Sequence, residues 1–120
     1  MRIGELAKRA GLSRDTIRLY ESRGLIRSDD GPAPTNTYRD YPDETLDLLS
    51  IIGDAQAAGM TLADVSILLA QMEAVPTEDF DGLTFLDDKI ADVQARLDRA
   101  TTFLETLKAT RAALARAPYD

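Results

Sequence analysis

The chain has 120 residues, 44% of them hydrophobic, with no cysteine and no histidine. That excludes disulfides, thiolate or imidazole metal sites, and catalysis by either side chain. The net charge of −7 is unevenly placed: residues 1–41 carry eight Lys/Arg against six Asp/Glu (+2), residues 42–120 six against fifteen (−9).

A mildly basic head on an acidic body suits a protein whose head alone meets phosphate, although a solvated surface with a chance asymmetry would look the same. The length allows one small domain and an extension. No apolar stretch reaches the length of a signal peptide or a membrane span, so a cytoplasmic location without membrane contact is expected.

In chain order, Ile3, Leu6, Ala7 and Ala10 recur at helical spacing, and Gly11 follows as a residue suited to a helix end. Ser13 is a good N-cap for a second helix, with Asp15 in its first turn and a stop at Gly24. Two short helices joined by Ala10-Gly11-Leu12-Ser13 make a helix-turn-helix. The second helix carries Arg14, Arg18 and Arg23, and its first polar residues are Arg14, Asp15 and Thr16. In this motif the N-terminal positions of the second helix reach base edges in the major groove.

Leu25-Ile26-Arg27 and Thr37-Tyr38-Arg39-Asp40-Tyr41 have strand character, with Gly31, Pro32, Ala33 and Pro34 as a loop between them. A hairpin directly after the second helix is a wing. Tyr38, Arg39 and Tyr41 suit phosphate contact through hydroxyl and guanidinium donors. For Tyr41, packing on the core is an equal alternative.

Pro42 opens a third helix in which Leu46, Leu49, Ile52, Ala55 and Gln56 keep helical spacing to about Gly59. Thr61 and Asp64 resemble a capping box for a fourth helix carrying Leu62, Val65, Leu68 and Leu69. Residues 73–83 are acidic and contain Pro and Gly, and read as a linker. From there Leu86, Ile90, Val93, Leu97, Ala100, Leu104, Leu107, Arg111 and Leu114 form a heptad seam that is apolar except at Arg111. A helix of about 30 residues spans ~45 Å. Its seam needs a partner, and a second copy of the chain or a fold-back onto the head would both provide one. The expected organisation is a DNA-binding head over 1–72, a linker over 73–83, a dimerisation helix over 84–116 and a tail over 117–120.

The motifs together resemble the MerR family of bacterial transcription regulators. The resemblance rests on Ile3-Gly4-Glu5-Leu6-Ala7, Ala10-Gly11-Leu12-Ser13, Thr16-Ile17-Arg18-Leu19-Tyr20-Glu21 and Arg23-Gly24-Leu25-Ile26. It rests further on Asn36-Thr37-Tyr38-Arg39-Asp40-Tyr41 and Gly59-Met60-Thr61-Leu62-Ala63-Asp64-Val65. It implies a mainly α protein: a winged helix-turn-helix head with a small β-hairpin wing, and a long C-terminal helix that dimerises as an antiparallel coiled coil. It implies a homodimer on an inverted repeat in double-stranded promoter DNA, bending and untwisting the duplex so that RNA polymerase engages an over-long spacer. Shape-dependent readout accommodates that mechanism.

Carried over by residue, Arg18 and Tyr20 match phosphate-holding positions. Arg14, Asp15 and Thr16 match the groove-facing start of the recognition helix. Arg39, with Tyr38 beside it, matches the wing. The dimer seam is carried by Leu86, Ile90, Val93, Leu97, Leu104 and Leu107.

Two positions depart from the family. Leu19 stands where a second aromatic is common, and the third helix carries Asp43, Glu44, Asp47 and Asp54 where basic residues are common. Metal-sensing members use cysteines in the dimer region, and this chain has none. It resembles a short member without a separate effector domain. A small-molecule effector would have to use the linker and dimer helix, where Phe80, Phe85 and Phe103 either line a site or pack the helix ends. No Gly-rich phosphate loop, nucleophile–base pair or metal cluster is present, so neither an enzyme nor a cofactor is expected. An architectural DNA-binding protein, and an interaction protein acting through the acidic coil, are the competing readings.

Overall fold

In the computed structural model the described residues are 1–30, 39–73 and 81–118. The chain divides into two compact units, Met1–Pro76 and Thr77–Asp120.

The first unit begins with α1 (Ile3–Ala10), which ends where Gly11 adopts a left-handed φ of 68°. That conformation strains any residue with a Cβ. Helix α2 (Arg14–Ser22) starts at Ser13, whose hydroxyl accepts the Thr16 N–H at 3.1 Å. The bond satisfies one of the N–H groups left over at a helix start.

Two 2-residue strands follow, β1 (Asp29–Asp30) and β2 (Arg39–Asp40), paired antiparallel with Asp29 opposite Asp40 and Asp30 opposite Arg39. The first strand thus falls after the expected Leu25-Ile26-Arg27. Leu25 and Ile26 are both buried. The Leu25 N–H donates back to the Tyr20 carbonyl at 3.0 Å, so the chain here is still turning off the end of α2 and is not extended as a strand. The wing tip and Tyr38 lie outside the described residues.

Helix α3 (Glu44–Ala57) is entered through a tight turn in which Thr45 N–H donates to the Pro42 carbonyl at 3.0 Å. Pro42 therefore sits just before the helix. Helix α4 (Leu62–Met72) is capped by the Thr61 hydroxyl, which accepts the Asp64 N–H at 3.1 Å.

Helix α1 packs on α2 and α3, and α3 on α4. Leu6, Ile17, Ile26, Tyr41, Ile52 and Val65 are almost wholly enclosed. Each such aliphatic side chain contributes roughly 1.5–3 kcal/mol relative to exposure. The stripe Leu49, Ile52, Ala55 on α3 and the pair Val65, Leu69 on α4 supply the facing surfaces.

The second unit is α5 (Gly82–Arg116), 35 residues long, or about 52 Å. It begins two residues earlier than the sequence suggests. Asp81 caps it by accepting the Thr84 N–H at 3.0 Å and the Thr84 hydroxyl at 2.6 Å. These bonds hold the Asp81 carboxyl below its ordinary pKa. The helix ends at Ala117, which takes an extended conformation. That is the backbone a residue before proline prefers, and Pro118 follows.

No residue of α5 is buried. Ile90, Leu97, Leu104, Leu107 and Leu114 are exposed, Leu97 by 57%, and Leu86 and Val93 are half-buried. Phe80 lies outside the described residues. Phe85 lies under Lys89, whose Nζ is 5.6 Å from the ring centroid. Phe103 is exposed and follows 18 positions later, a separation of ~27 Å along the helix axis. Within one chain Phe85 and Phe103 therefore cannot line the same effector pocket.

Candidate nucleic-acid interface

Helix α2 has one face in the core, through Ile17 and Tyr20, and the other in solvent. Its solvent face borders a cleft of about 370 Å³ lined by Arg2, Arg14, Arg18 and Arg39, together with Ile3, Glu21 and Tyr41. The four guanidinium groups come from four places: the chain start, the first residue of α2, its second turn and strand β2. Arg2 was missed from sequence; it stands one residue before α1, outside any motif position.

Arg14 reaches back over α1. A Cβ at Gly4 would lie 2.8 Å from Arg14 Nη2, so the absence of a side chain at Gly4 gives the guanidinium its place. Arg18 pairs with Asp15, Nη1 to Oδ1 at 3.2 Å, with both side chains largely exposed. An exposed pair of this kind is worth little, so phosphate can compete for Arg18. Thr16 shares a hydrogen bond with Ser13, Oγ1 to Oγ at 2.9 Å, and so serves the cap of α2.

Tyr20 departs from its expected place among the phosphate contacts. It is only 7% exposed, and its hydroxyl donates to Gln56 Oε1 at 3.0 Å. A phenol has one proton to give, and here it ties α2 to α3. Leu19, by contrast, is exposed on the helix surface.

Arg39 and Tyr41 meet α2 through Glu21. The Tyr41 hydroxyl donates to Glu21 Oε1 at 3.3 Å, and Arg39 Nε lies 4.0 Å from the same oxygen. Tyr41 itself is core, as the alternative reading had it. Burial, then the charge and hydrogen bond of Glu21, raise its phenol above the ordinary value. Its backbone N–H donates to the Met1 carbonyl at 2.6 Å, and the Met1 amino group lies 2.9 Å from Asp40 Oδ1. These bonds bind β2 to the start of α1.

Guanidinium groups gathered on an open cleft bind anions through charge-assisted, often bidentate, hydrogen bonds. Among the described residues no group of His, Cys, Asp and Glu is placed to hold a metal ion, and no helix is long and apolar enough to cross a membrane.

Comparison with known proteins agrees with this geometry. The family model described as MerR HTH family regulatory protein matches residues 1–72. The mercuric resistance operon regulatory protein of Bacillus cereus is 37% identical over 100 residues, covering 81% of this chain and 72% of that protein. The lead(II) complex of the transcription regulator PbrR691 from Ralstonia metallidurans CH34 superposes with a TM-score of 0.60 at 28% identity, covering 93% of this chain and 86% of that one. HiNmlR, a MerR family regulator lacking the sensor domain and bound to promoter DNA, shares the fold with a TM-score of 0.71 at 22% identity, covering 93% and 89%.

Proposed function

The chain belongs to the MerR HTH family of regulatory proteins, and from that premise we propose that it is a cytoplasmic homodimer that binds an inverted repeat in promoter DNA and distorts the duplex to control transcription by RNA polymerase. The observation that supports this most is the convergence of Arg2, Arg14, Arg18 and Arg39 on one cleft beside α2. A recognition helix set in the major groove brings such a cleft against the flanking backbone, where Arg2, Arg18 and Arg39 neutralise phosphates and release counterions, while Arg14 at the helix start turns to the base edges. Contacts of that kind offset the elastic cost of bending the site.

The exposed apolar seam of α5 supports the dimer. Burying Ile90, Leu97, Leu104 and Leu107 against a second copy removes that apolar surface from water. The antiparallel pairing then sets two recognition helices on two half-sites, so protein symmetry and operator symmetry match. A small-molecule effector, where one acts, would bind at the dimer helix.

The test is selection of bound sequences from a random duplex pool, followed by footprinting and a bending assay. An inverted repeat protected by one dimer, with a bent duplex, is the expected result. A single half-site occupied by a monomer, or a straight duplex, would overturn the proposal.

A further inference from the structure

Glu21 is the acidic member of an otherwise basic cleft. A carboxylate there opposes the approach of phosphate, by Coulomb repulsion alone. Its contacts give a reason for its presence. Oε2 accepts from Ser28 Oγ at 2.5 Å, Oε1 accepts from the Tyr41 hydroxyl at 3.3 Å, and Oε1 faces Arg39 Nε at 4.0 Å. Arg39 Nη1 also lies 3.5 Å from Ser28 Oγ.

Glu21 is in the last turn of α2, Ser28 directly precedes β1, Arg39 is in β2, and Tyr41 follows it. One carboxylate therefore gathers the recognition helix and both ends of the described wing. The Glu21 side chain is 21% exposed while that of Arg39 is 61% exposed. The anchor is sheltered and the guanidinium it faces is open to solvent.

We propose that Glu21 is a positioning residue for DNA binding: it latches the base of the wing to the recognition helix and holds the Arg39 guanidinium at the mouth of the cleft, where phosphate meets it. This rests on the DNA-binding reading above. Pre-ordering matters because arginine carries about 2 kcal/mol of rotamer entropy that a held geometry does not lose again on binding.

The proposal and simple electrostatics give opposite signs. Glu21→Gln removes a negative charge from a phosphate-binding cleft, so a bystander carboxylate predicts tighter binding. A latch predicts weaker binding, because a neutral amide faces Arg39 less well.

The experiment measures affinity of the full chain for a mixed-sequence duplex at several salt concentrations, with Glu21→Gln, Arg39→Ala and the double variant. The expected result is about fivefold weaker binding for Glu21→Gln, the scale of one ion pair lost. Its salt slope should move toward that of Arg39→Ala. In the Arg39→Ala background the further loss should vanish, since the latch then holds nothing that phosphate meets. Ser28→Ala should act in the same direction as Glu21→Gln, and it carries the same cycle should Glu21→Gln fail to fold.

Tighter or unchanged binding by Glu21→Gln would overturn the proposal. So would an equal loss with and without Arg39, which is what mere loss of fold stability produces. Arg18→Ala separates the two levels. If Arg18→Ala weakens binding and Glu21→Gln does not, the latch alone is wrong. If Arg18→Ala and Arg39→Ala both leave duplex binding unchanged, the DNA-binding reading fails and the latch with it.

Discussion

The Tyr20 hydroxyl, on α2, donates to Gln56 Oε1 on α3 at 3.0 Å. The bond crosses 36 positions of sequence and fixes the rotation of α2 against the helix behind it. Tyr20→Phe keeps the packing and removes one hydrogen bond, so stability should fall by about 0.5–1.5 kcal/mol. Denaturant melts of Tyr20→Phe, Gln56→Ala and the pair should show coupling between the two positions. Purely additive losses would count against the bond. Duplex DNA affinity should change less for Tyr20→Phe than for Arg18→Ala, because the phenol faces inward.

Arg14 and Arg18 should separate in function. Arg18 stands in the cleft beside Arg39, and phosphate contacts carry no direct sequence information. Arg18→Ala should weaken all duplexes alike and reduce the salt slope by about 0.9 per lost phosphate contact. Arg14 is the first residue of α2, the end that we propose faces the groove. Arg14→Ala should relax preference at one base pair per half-site by roughly 1–3 kcal/mol and spare nonspecific binding. Gly4→Ala should act like a mild Arg14 variant, since its Cβ would fall 2.8 Å from the mobile end of Arg14. Titrations against single-base variants of a selected site at two salt concentrations check all three. A uniform loss for Arg14→Ala would assign it to phosphate.

Leu97 lies in the middle of the α5 seam and is exposed in the single chain. Leu97→Asp should place an unpaired charge in the dimer contact and cost several kcal/mol of association. Light scattering at micromolar concentration should give a dimer for the parent chain and a monomer for the variant. The head should keep its helical circular dichroism, because Leu97 belongs to the other compact unit. A monomeric parent would sink the dimer proposal.

Although the Bacillus cereus relative is a mercuric resistance operon regulatory protein, these 120 residues contain no cysteine or histidine. Stoichiometric mercury, zinc or copper should leave duplex binding unchanged, since tight, selective sites for these metals are built mainly on thiolate and imidazole donors. Calorimetry showing a tight one-to-one site would contradict this.

The raised Tyr41 phenol has a definite sign in the pH dependence of stability. The fold favours the neutral phenol, so its contribution is fully present below the unfolded value of about 10 and is lost as pH rises through the folded value. Unfolding midpoints across that alkaline range should fall less steeply for Tyr41→Phe. Identical slopes would mean that the phenol is ionised as easily in the fold as out of it.

The caps of α1, α2 and α4, the order of elements and the seam of α5 follow from local chemistry and are legible in the sequence. Ser13 caps because its hydroxyl meets an N–H three residues on. Gly11 ends α1 because the backbone there needs a left-handed φ. The seam repeats because heptad spacing sets one face of a helix. What depends on distant neighbours was legible only in tertiary structure. Leu25 and Ile26 look like a strand by composition, yet both are core, and the short hairpin forms after them. Tyr20 looks like a phosphate donor by motif, yet its proton goes to Gln56. Arg2 has no motif position at all and enters the cleft because β2 is bound to the start of α1. The division has a physical cause. Caps and periodicities involve residues within a few positions of one another, whereas the free side of an arginine, a tyrosine or a carboxylate is decided by which remote groups the packed core brings beside it.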